Sequence, residues 1–203
     1  MRAAGHSSTL RRMRETVRTI TVEGATLRVR IVRKRVRNVN ARLVGSELRV
    51  SAPPGVDGAG LDDTVRRLAR RLVRRARAEV LNADDKALAV ARKLAERFPK
   101  PPRVTSVRFV TTQRSRWGSF SPSTGRVRLH GGLRQLPAWV LEAVVAHELA
   151  HAFHADHSPA FWKLVRSVCP ATDRATAFLE GVSWIAERWE RLPPVERALL
   201  GGA

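Results

Sequence analysis

The chain is organised around the stretch AWVLEAVVAHELAHAFHADH, residues 138–157. Its first half is apolar on nearly every side, which predicts a buried helix. His147 and His151 are four residues apart, so on a helix both imidazoles lie on one face and can bind the same ion. Zinc prefers neutral imidazole, and a catalytic zinc site has three protein ligands and an open position. The stretch therefore predicts a zinc site with Glu148 beside it as the general base.

The third ligand has to come from outside the face that carries His147 and His151. His157 follows His151 by six residues, so it can join the pair only if the helix ends near Phe153 and the chain turns back. Asp156 could adopt the left-handed conformation for such a turn. The next two residues, Ser158-Pro159, are typical of a helix N-cap and first helical position, which predicts a new helix there.

Two other residues compete with His157 for this position. We favour His157 over His154, which would then contact a ligand or face the substrate. Glu180, on a later helix, gives a rival ligand set. The carboxylates of Asp156, Glu142 and Glu180 are also available to accept a hydrogen bond from the second ring nitrogen of a ligand.

Three motifs give the chain a family resemblance. They are HELAH at residues 147–151, HADHSPAFW at residues 154–162, and RSRWGS at residues 114–119 followed by a short hairpin. In these the chain resembles the YgjP-like metallopeptidases, relatives of the WLM and SprT-like zincins, closely over Val104 to Val168 and more loosely in its Arg-rich first half. The family commonly has RWGSCS, whereas this chain has Phe120 in place of the Cys, so no thiol role is expected there. The resemblance implies a compact peptidase-type zinc site.

The RSRWGS segment is where we expect the substrate cleft to begin. In zincins a sheet edge beside the metal helix commonly receives the peptide as an added strand, so Trp117 and Gly118 are expected to border the cleft. Trp117 could equally be a core residue, and Gly118 could merely relieve a bend. The chain has no Tyr to stabilise an oxyanion, which leaves His154, His130, Arg116 and the metal itself as candidates.

The formal charge is +20, and most of the excess belongs to the first half, with 25 basic and 10 acidic residues in 1–100 against 13 and 8 in 101–203. Such an excess predicts a possible nucleic acid partner for the basic N-terminal half. Arginines alternating with apolar residues along a strand are, however, more commonly a solvated face. The segment Val17 to Ala52 has no aromatic residue for base stacking.

Hydrophobic periodicity predicts an α+β fold in which an N-terminal antiparallel sheet and Arg-rich helices precede a second region with a small sheet and a buried helix. The resemblance implies that this second region is a compact zincin-like domain and that the buried helix is its HExxH active-site helix. Period-two alternation from Val17 to Ala52 indicates three or four strands. Leu61 onward is helical with a break at Asn82 to Asp85, and a later helix places Phe178, Val182, Ile185 and Trp189 in the core. The expected divisions are a flexible basic tail (1–15), a basic sheet and helix region (16–98), the metallopeptidase domain (103–192) and a C-terminal tail (193–203).

Three functional classes remain open from the sequence. The first is a zinc metallopeptidase that hydrolyses protein or peptide, and the second is a nucleic-acid-associated protease that cleaves DNA- or RNA-bound protein. The third is a basic binding module with a structural metal, against which Glu148 argues because a structural site needs no general base. A single cysteine, Cys169, cannot form an internal disulfide, and no stretch predicts secretion or a membrane span, so a cytoplasmic location is expected.

Overall fold

The protein is described here by a computed structural model over residues 15–113 and 116–201. Within these residues it has two small sheets and six α-helices, so the predicted mixed α+β class is confirmed. The predicted basic tail, residues 1–15, lies outside the described part except for Glu15. The chain forms two compact units, Met1–Arg77 and Ala78–Ala203.

The first unit contains a four-stranded sheet. Its strands are β1 (Glu15–Val22), β2 (Ala25–Arg33), β3 (Asn40–Val44) and β4 (Glu47–Ala52), in the order β1-β2-β4-β3. The predicted turns are confirmed: Glu23 and Gly24 have φ of 52° and 73°, and Gly45 has φ of 57°. Positive φ at both central residues suits the tight connection of β1 to β2, because that turn twists in the same sense as the strands.

The prediction of an antiparallel sheet is wrong for one pair of strands. β2 pairs with β4 in parallel, with Val29 opposite Leu48 and Ile31 opposite Val50, while the other two pairs are antiparallel. After β2 the chain crosses to the outer edge of the sheet, where it forms β3. The next strand, β4, then lies between β2 and β3. Period-two alternation reveals which face of a strand is buried but not which strand lies beside it.

One face of this sheet is covered by the first helix, α1 (Gly58–Leu81), which starts in the first unit. Leu61, Val65 and Ala69 of α1 are buried with the inward residues of β2 and β4 in a single core. These positions are spaced by four residues and so lie along one side of the helix. The other sides of α1 carry its arginines.

The second unit is built around the buried helix. Its elements are α2 (Lys86–Ala95), β5 (Ser106–Val110), β6 (Gly118–Ser121), β7 (Arg126–His130), a 3-10 turn (Gly131–Gln135), α3 (Ala138–Ala150), α4 (Pro159–Val168), α5 (Thr172–Arg188) and α6 (Pro194–Gly201). In its sheet, β7 lies in the middle, parallel to β5 and antiparallel to β6. Val140, Val145 and Leu149 of α3 are fully buried, as expected for a helix that is apolar on all sides.

The core of the second unit also includes α2, whose Ala87, Ala91 and Leu94 are buried with α3. The domain division expected at residues 99–102 stays a prediction. The segment expected as a C-terminal tail contains α6, which begins at Pro194. Proline is as well suited to the first position of a helix as it is to ending one, because its fixed φ is helical and its missing N–H would have no partner there.

The prediction that the apolar row of α5 is core is wrong. The buried residues of α5 are Thr172, Ala175 and Leu179, whereas Phe178 is 36% exposed and Val182 is only partly buried. α5 carries small or apolar residues on two sides, and helical spacing does not indicate which side packs against the protein. None of the described helices has the length and apolar character needed to cross a membrane.

Candidate active site

The first two histidines are positioned by the end of α3. His147 lies in its last turn and His151 is its C-cap residue, so the imidazoles lie one turn apart in an edge-to-face arrangement with ring centroids 5.1 Å from each other. The chain leaves the helix through bonds from the N–H groups of Phe153 and His154 to the carbonyl of Ala150, at 3.0 and 3.1 Å. This turn directs the following residues back toward the helix.

The return of the chain to His157 needs no left-handed residue. Among the described residues only Glu23 and four glycines have positive φ, so the left-handed conformation considered for Asp156 does not occur. The predicted start of the next helix is confirmed. The Ser158 hydroxyl accepts a hydrogen bond from the N–H of Phe161 at 3.4 Å, and Pro159 occupies the first turn of α4. This cap restrains the backbone directly after His157.

The structure brings His147, His151 and His157 into one group, in which one ring nitrogen of each lies within 4.8 Å of the others. The Nε2 atoms of His147 and His157 are 3.1 Å apart. Two nitrogens bound to one tetrahedral zinc at about 2.0–2.1 Å would lie roughly 3.3 Å apart, so this spacing fits an ion. Glu180 is not a member of the group; it lies on α5, in the wall of the neighbouring cleft.

The protonation of His147 and a hydrogen bond of His151 also fit metal binding. Burial, followed by the nearby His151 and His157, lowers the pKa of His147 to about 4, so its ring is neutral at physiological pH. The Nδ1 of His151 lies 3.0 Å from the carbonyl oxygen of His154. Because a carbonyl only accepts, Nδ1 must donate, and in the neutral tautomer that does so Nε2 of His151 carries the lone pair for a cation. The acceptor is thus a backbone carbonyl and not one of the predicted carboxylates.

Phe161 is the residue of this site that the sequence did not reveal. It is fully buried, and its ring centroid lies 4.7 to 4.9 Å from those of all three histidines. Trp162 packs beside it, stacked on His157 at 5.8 Å. The signal available in the sequence was the HSPAFW run, in which the aromatic pair follows the N-cap at a fixed distance. Both rings belong to α4, so this helix packs directly against the imidazoles.

Glu148 is buried beside this group, with only 7% of its surface exposed. Burial raises the pKa of its carboxyl to about 7, and the positive charge of Arg116 opposes that shift. Gly118, at the start of β6, lies directly against this side chain. A Cβ at position 118 would stand 2.5 Å from Oε1 and 2.7 Å from Cγ of Glu148, so any residue but glycine would overlap the carboxylate.

A cleft of about 620 Å³ opens in front of His147 and Glu148. Arg116, Trp117 and Gly118 line it, as does one side of α5. Of the other predicted residues, His154 contributes its backbone oxygen and is not part of the histidine group. His130 packs its ring on Trp117 at 5.0 Å and accepts the N–H of Gly132 at 3.1 Å, so it shapes the segment behind the cleft.

Comparison with known proteins supports one family. Among curated proteins none matches the chain. The solved structure of the metallopeptidase zymogen of Pyrococcus abyssi abylysin is 22% identical over 51% of this chain and 92% of that one, with a TM-score of 0.38, too low to support an argument. The family model for the YgjP-like metallopeptidase domain matches residues 6–181. The chain therefore belongs to the YgjP-like metallopeptidase family.

Proposed function

We propose that this protein is a zinc-dependent peptidase that hydrolyses peptide bonds with Glu148 as the general base. The observation that carries the proposal is the group of His147, His151 and His157 within 4.8 Å, next to a buried glutamate that opens on a cleft. Family membership supports the reaction class. These imidazoles would hold the ion. The chemistry that zinc would supply is Lewis acidity, which polarises a carbonyl and makes water more acidic.

Glu148 is suited to move the proton. A base transfers protons most effectively when its pKa lies near the operating pH, and burial raises the pKa of Glu148 to about 7. In the proposed reaction Glu148 takes a proton from the attacking water and passes it to the leaving amine. Arg116, whose charge already acts on Glu148, lies in the cleft and is available to a developing negative charge on the substrate.

The edge of the second sheet supports capture of an extended peptide. β6 is an outer strand that pairs with β7 on one side, and no other described strand pairs with it. Gly118 at its start touches Glu148, so a peptide added along β6 would run past the proposed base. Strand addition to a free sheet edge uses backbone hydrogen bonds and accepts many sequences.

The test is hydrolysis of an unfolded protein such as casein by the parent protein, by Glu148→Gln and by the parent with a chelator. We expect turnover only by the metal-loaded parent, with zinc retained by the Gln variant because the three imidazoles are untouched. Undiminished hydrolysis by Glu148→Gln would refute the base assignment. A parent that binds zinc and cleaves no peptide would favour the structural-metal alternative.

A second candidate function is association with nucleic acid through the first unit. Four exposed arginines form what we call the α1 arginine cluster: Arg66, Arg67, Arg70 and Arg71. Like charges three and four residues apart repel by about 0.2–0.5 kcal/mol per pair, and none of the four makes an ion pair in the described part of the chain. Residues 1–77 include no aromatic side chain. This combination favours the phosphate backbone of a duplex over stacking with single-stranded bases.

The salt dependence of DNA binding tests this second function. If the α1 arginine cluster contacts four phosphates, replacing it with Gln should reduce the slope of log K against log salt by about 3.6 for duplex DNA. A matched control removes the same charge from the other unit, by substituting Arg103, Arg108, Arg126 and Arg128. Equal loss of affinity in both variants, or no binding by the parent at low salt, would refute a specific role for the cluster.

A further inference from the structure

One side of α5, which we call the α5 wall, lines the cleft with small, polar and charged side chains and one aromatic ring. The α5 residues of this wall are Thr172, Ala175, Thr176, Leu179, Glu180, Ser183, Trp184, Glu187 and Arg188. The same cleft reaches His147 and Glu148. A substrate held along β6 would therefore present side chains to α5 while its backbone passes the proposed base. The groups on this wall decide which side chains fit.

Glu180 is the cleft carboxylate for which the described part of the chain supplies no ion-pair partner. Of the other cleft carboxylates, Glu148 interacts with Arg116, and Glu187 lies 3.7 Å from the guanidinium of Arg188. Glu180 is exposed and makes no ion pair with any residue that the structure describes. A carboxylate left facing the cleft is therefore available to a cation of the substrate.

Trp184 lies one turn after Glu180 on the same side of α5 and is 52% exposed. Residues four apart on a helix are surface neighbours, about 6 Å apart along its axis. The guanidinium of Arg188, one further turn along, lies 4.5 Å from the centroid of the Trp184 ring. Arg188 thus already packs on one face of that ring, as expected from the negative potential of the face, and a substrate cation would use the exposed remainder of the indole or displace Arg188.

We propose that Glu180, together with Trp184, selects substrates that present a cationic group to the α5 wall. A carboxylate beside an exposed indole suits a long basic side chain, whose methylene groups cover the ring while its charged end reaches the carboxylate. The cation would be a Lys or Arg side chain or the free α-amine of the peptide. This selectivity rests on the proposed peptidase function, because that function is the reason for assigning the cleft to a peptide substrate.

The experiment measures peptide binding without turnover, in the Glu148→Gln background. The probes are dye-labelled nine-residue peptides of Ala and Ser. In the first set the N-terminus is acetylated and a single Lys occupies each position in turn, and in the second set norleucine replaces that Lys. A third set has norleucine and a free N-terminus. Fluorescence polarisation gives the Kd. A partly exposed ion pair is worth up to about fivefold in affinity, so at one position Lys should bind up to about fivefold more tightly than norleucine. A free α-amine that restores this gain identifies the terminus as the cation.

Charge reversal distinguishes a local effect of Glu180 on peptide binding from the effect of the overall charge of the protein. Glu180→Gln should abolish the preference, and Glu180→Lys should invert it toward peptides with Glu at that position. Glu187→Lys adds the same charge to the same wall and should leave the preference for Lys in place, because Glu187 already has Arg188 beside it. Inversion by both Lys variants, or equal binding of all probes to the Glu148→Gln protein, would overturn the proposal.

The same peptides, incubated with the parent protein, keep the two proposals apart. Cleavage without any effect of Glu180→Lys would refute the selectivity and leave the peptidase standing. Binding that depends on Glu180, without cleavage by the zinc-loaded parent, would refute the peptidase and leave recognition of a cation standing. Thermal unfolding of each variant checks that the exposed substitutions have not altered the fold.

Discussion

Substitution of Gly118 by Ala should disable the protein by moving the Glu148 carboxylate. The added Cβ would lie 2.5 Å from Oε1, 2.7 Å from Cγ and 2.8 Å from Cδ of Glu148. Carbon atoms pack best at about 3.5–4.0 Å, so the carboxylate has to move by roughly 1 Å. A displacement of that size in a reacting group costs on the order of 10²-fold in rate. We expect kcat/KM to fall by about that factor, with zinc content unchanged because the atoms nearest the added Cβ all belong to Glu148 and none to an imidazole.

The stability of the same variant tests the cause. Forcing a methyl group into this packed site should lower the free energy of unfolding by about 1–3 kcal/mol, measured by urea denaturation. The matched control is Gly181→Ala on α5, where an added Cβ meets nothing within 4 Å. That change should leave turnover unaltered and stabilise the helix by about 0.5–1 kcal/mol.

A double-mutant cycle gives the result that would refute this reasoning. In the Glu148→Ala background the three overlapping atoms are absent, so Gly118→Ala should cost far less stability than it does in the parent. The coupling energy between the two positions should lie at about 1–3 kcal/mol. If Gly118→Ala costs the same in both backgrounds, the carboxylate is not what excludes a side chain from position 118.

Two further predictions concern the buried groups of the site. In metal-free protein, the pKa of Glu148 is raised from 4.5 to about 7, so this carboxyl contributes a loss of stability of at most about 3 kcal/mol as the pH rises from 4.5 to 7, while the lowered pKa of His147 contributes a gain in parent and variant alike. Glu148→Gln should lack that loss, which urea unfolding at pH 5 and pH 8.5 measures; parallel losses in both proteins would contradict it. Phe161→Ala should cost about 3–5 kcal/mol, and Phe161→Leu should keep the fold but weaken zinc binding in competition with a chelator, because the ring supports all three imidazoles. Unchanged zinc affinity in Phe161→Leu would show that the ring serves the core alone.

Features governed by short-range rules could be predicted from the sequence. The spacing of His147 and His151 dictates a shared helical face, and Ser158-Pro159 has the chemistry of a helix start, which favoured His157 over His154 and Glu180 as the third member of the group. Turn residues with positive φ, such as Glu23-Gly24, were equally local. The grouping of the three imidazoles agrees with this reasoning, and their role as ligands stays a prediction.

Features that depend on distant pairing could not be predicted. Gly118 and Glu148 are thirty positions apart, and nothing in either residue indicates that the Cα of one lies against the carboxylate of the other. The parallel pairing of β2 with β4 follows from the route of a connecting segment, which alternation does not encode. On α5, two sides had plausible packing residues, and only the surroundings of Leu179 determined which side was buried.

The most direct test of the proposed metal centre is the zinc content of three folded proteins: the parent, His157→Ala and His154→Ala. The parent and His154→Ala should each hold about one zinc, since alanine at position 154 keeps the backbone carbonyl that faces His151. His157→Ala should lose the ion, because one of the three close nitrogens is gone. Full zinc content in His157→Ala, or none in the parent, would contradict the assignment of these histidines as the metal site.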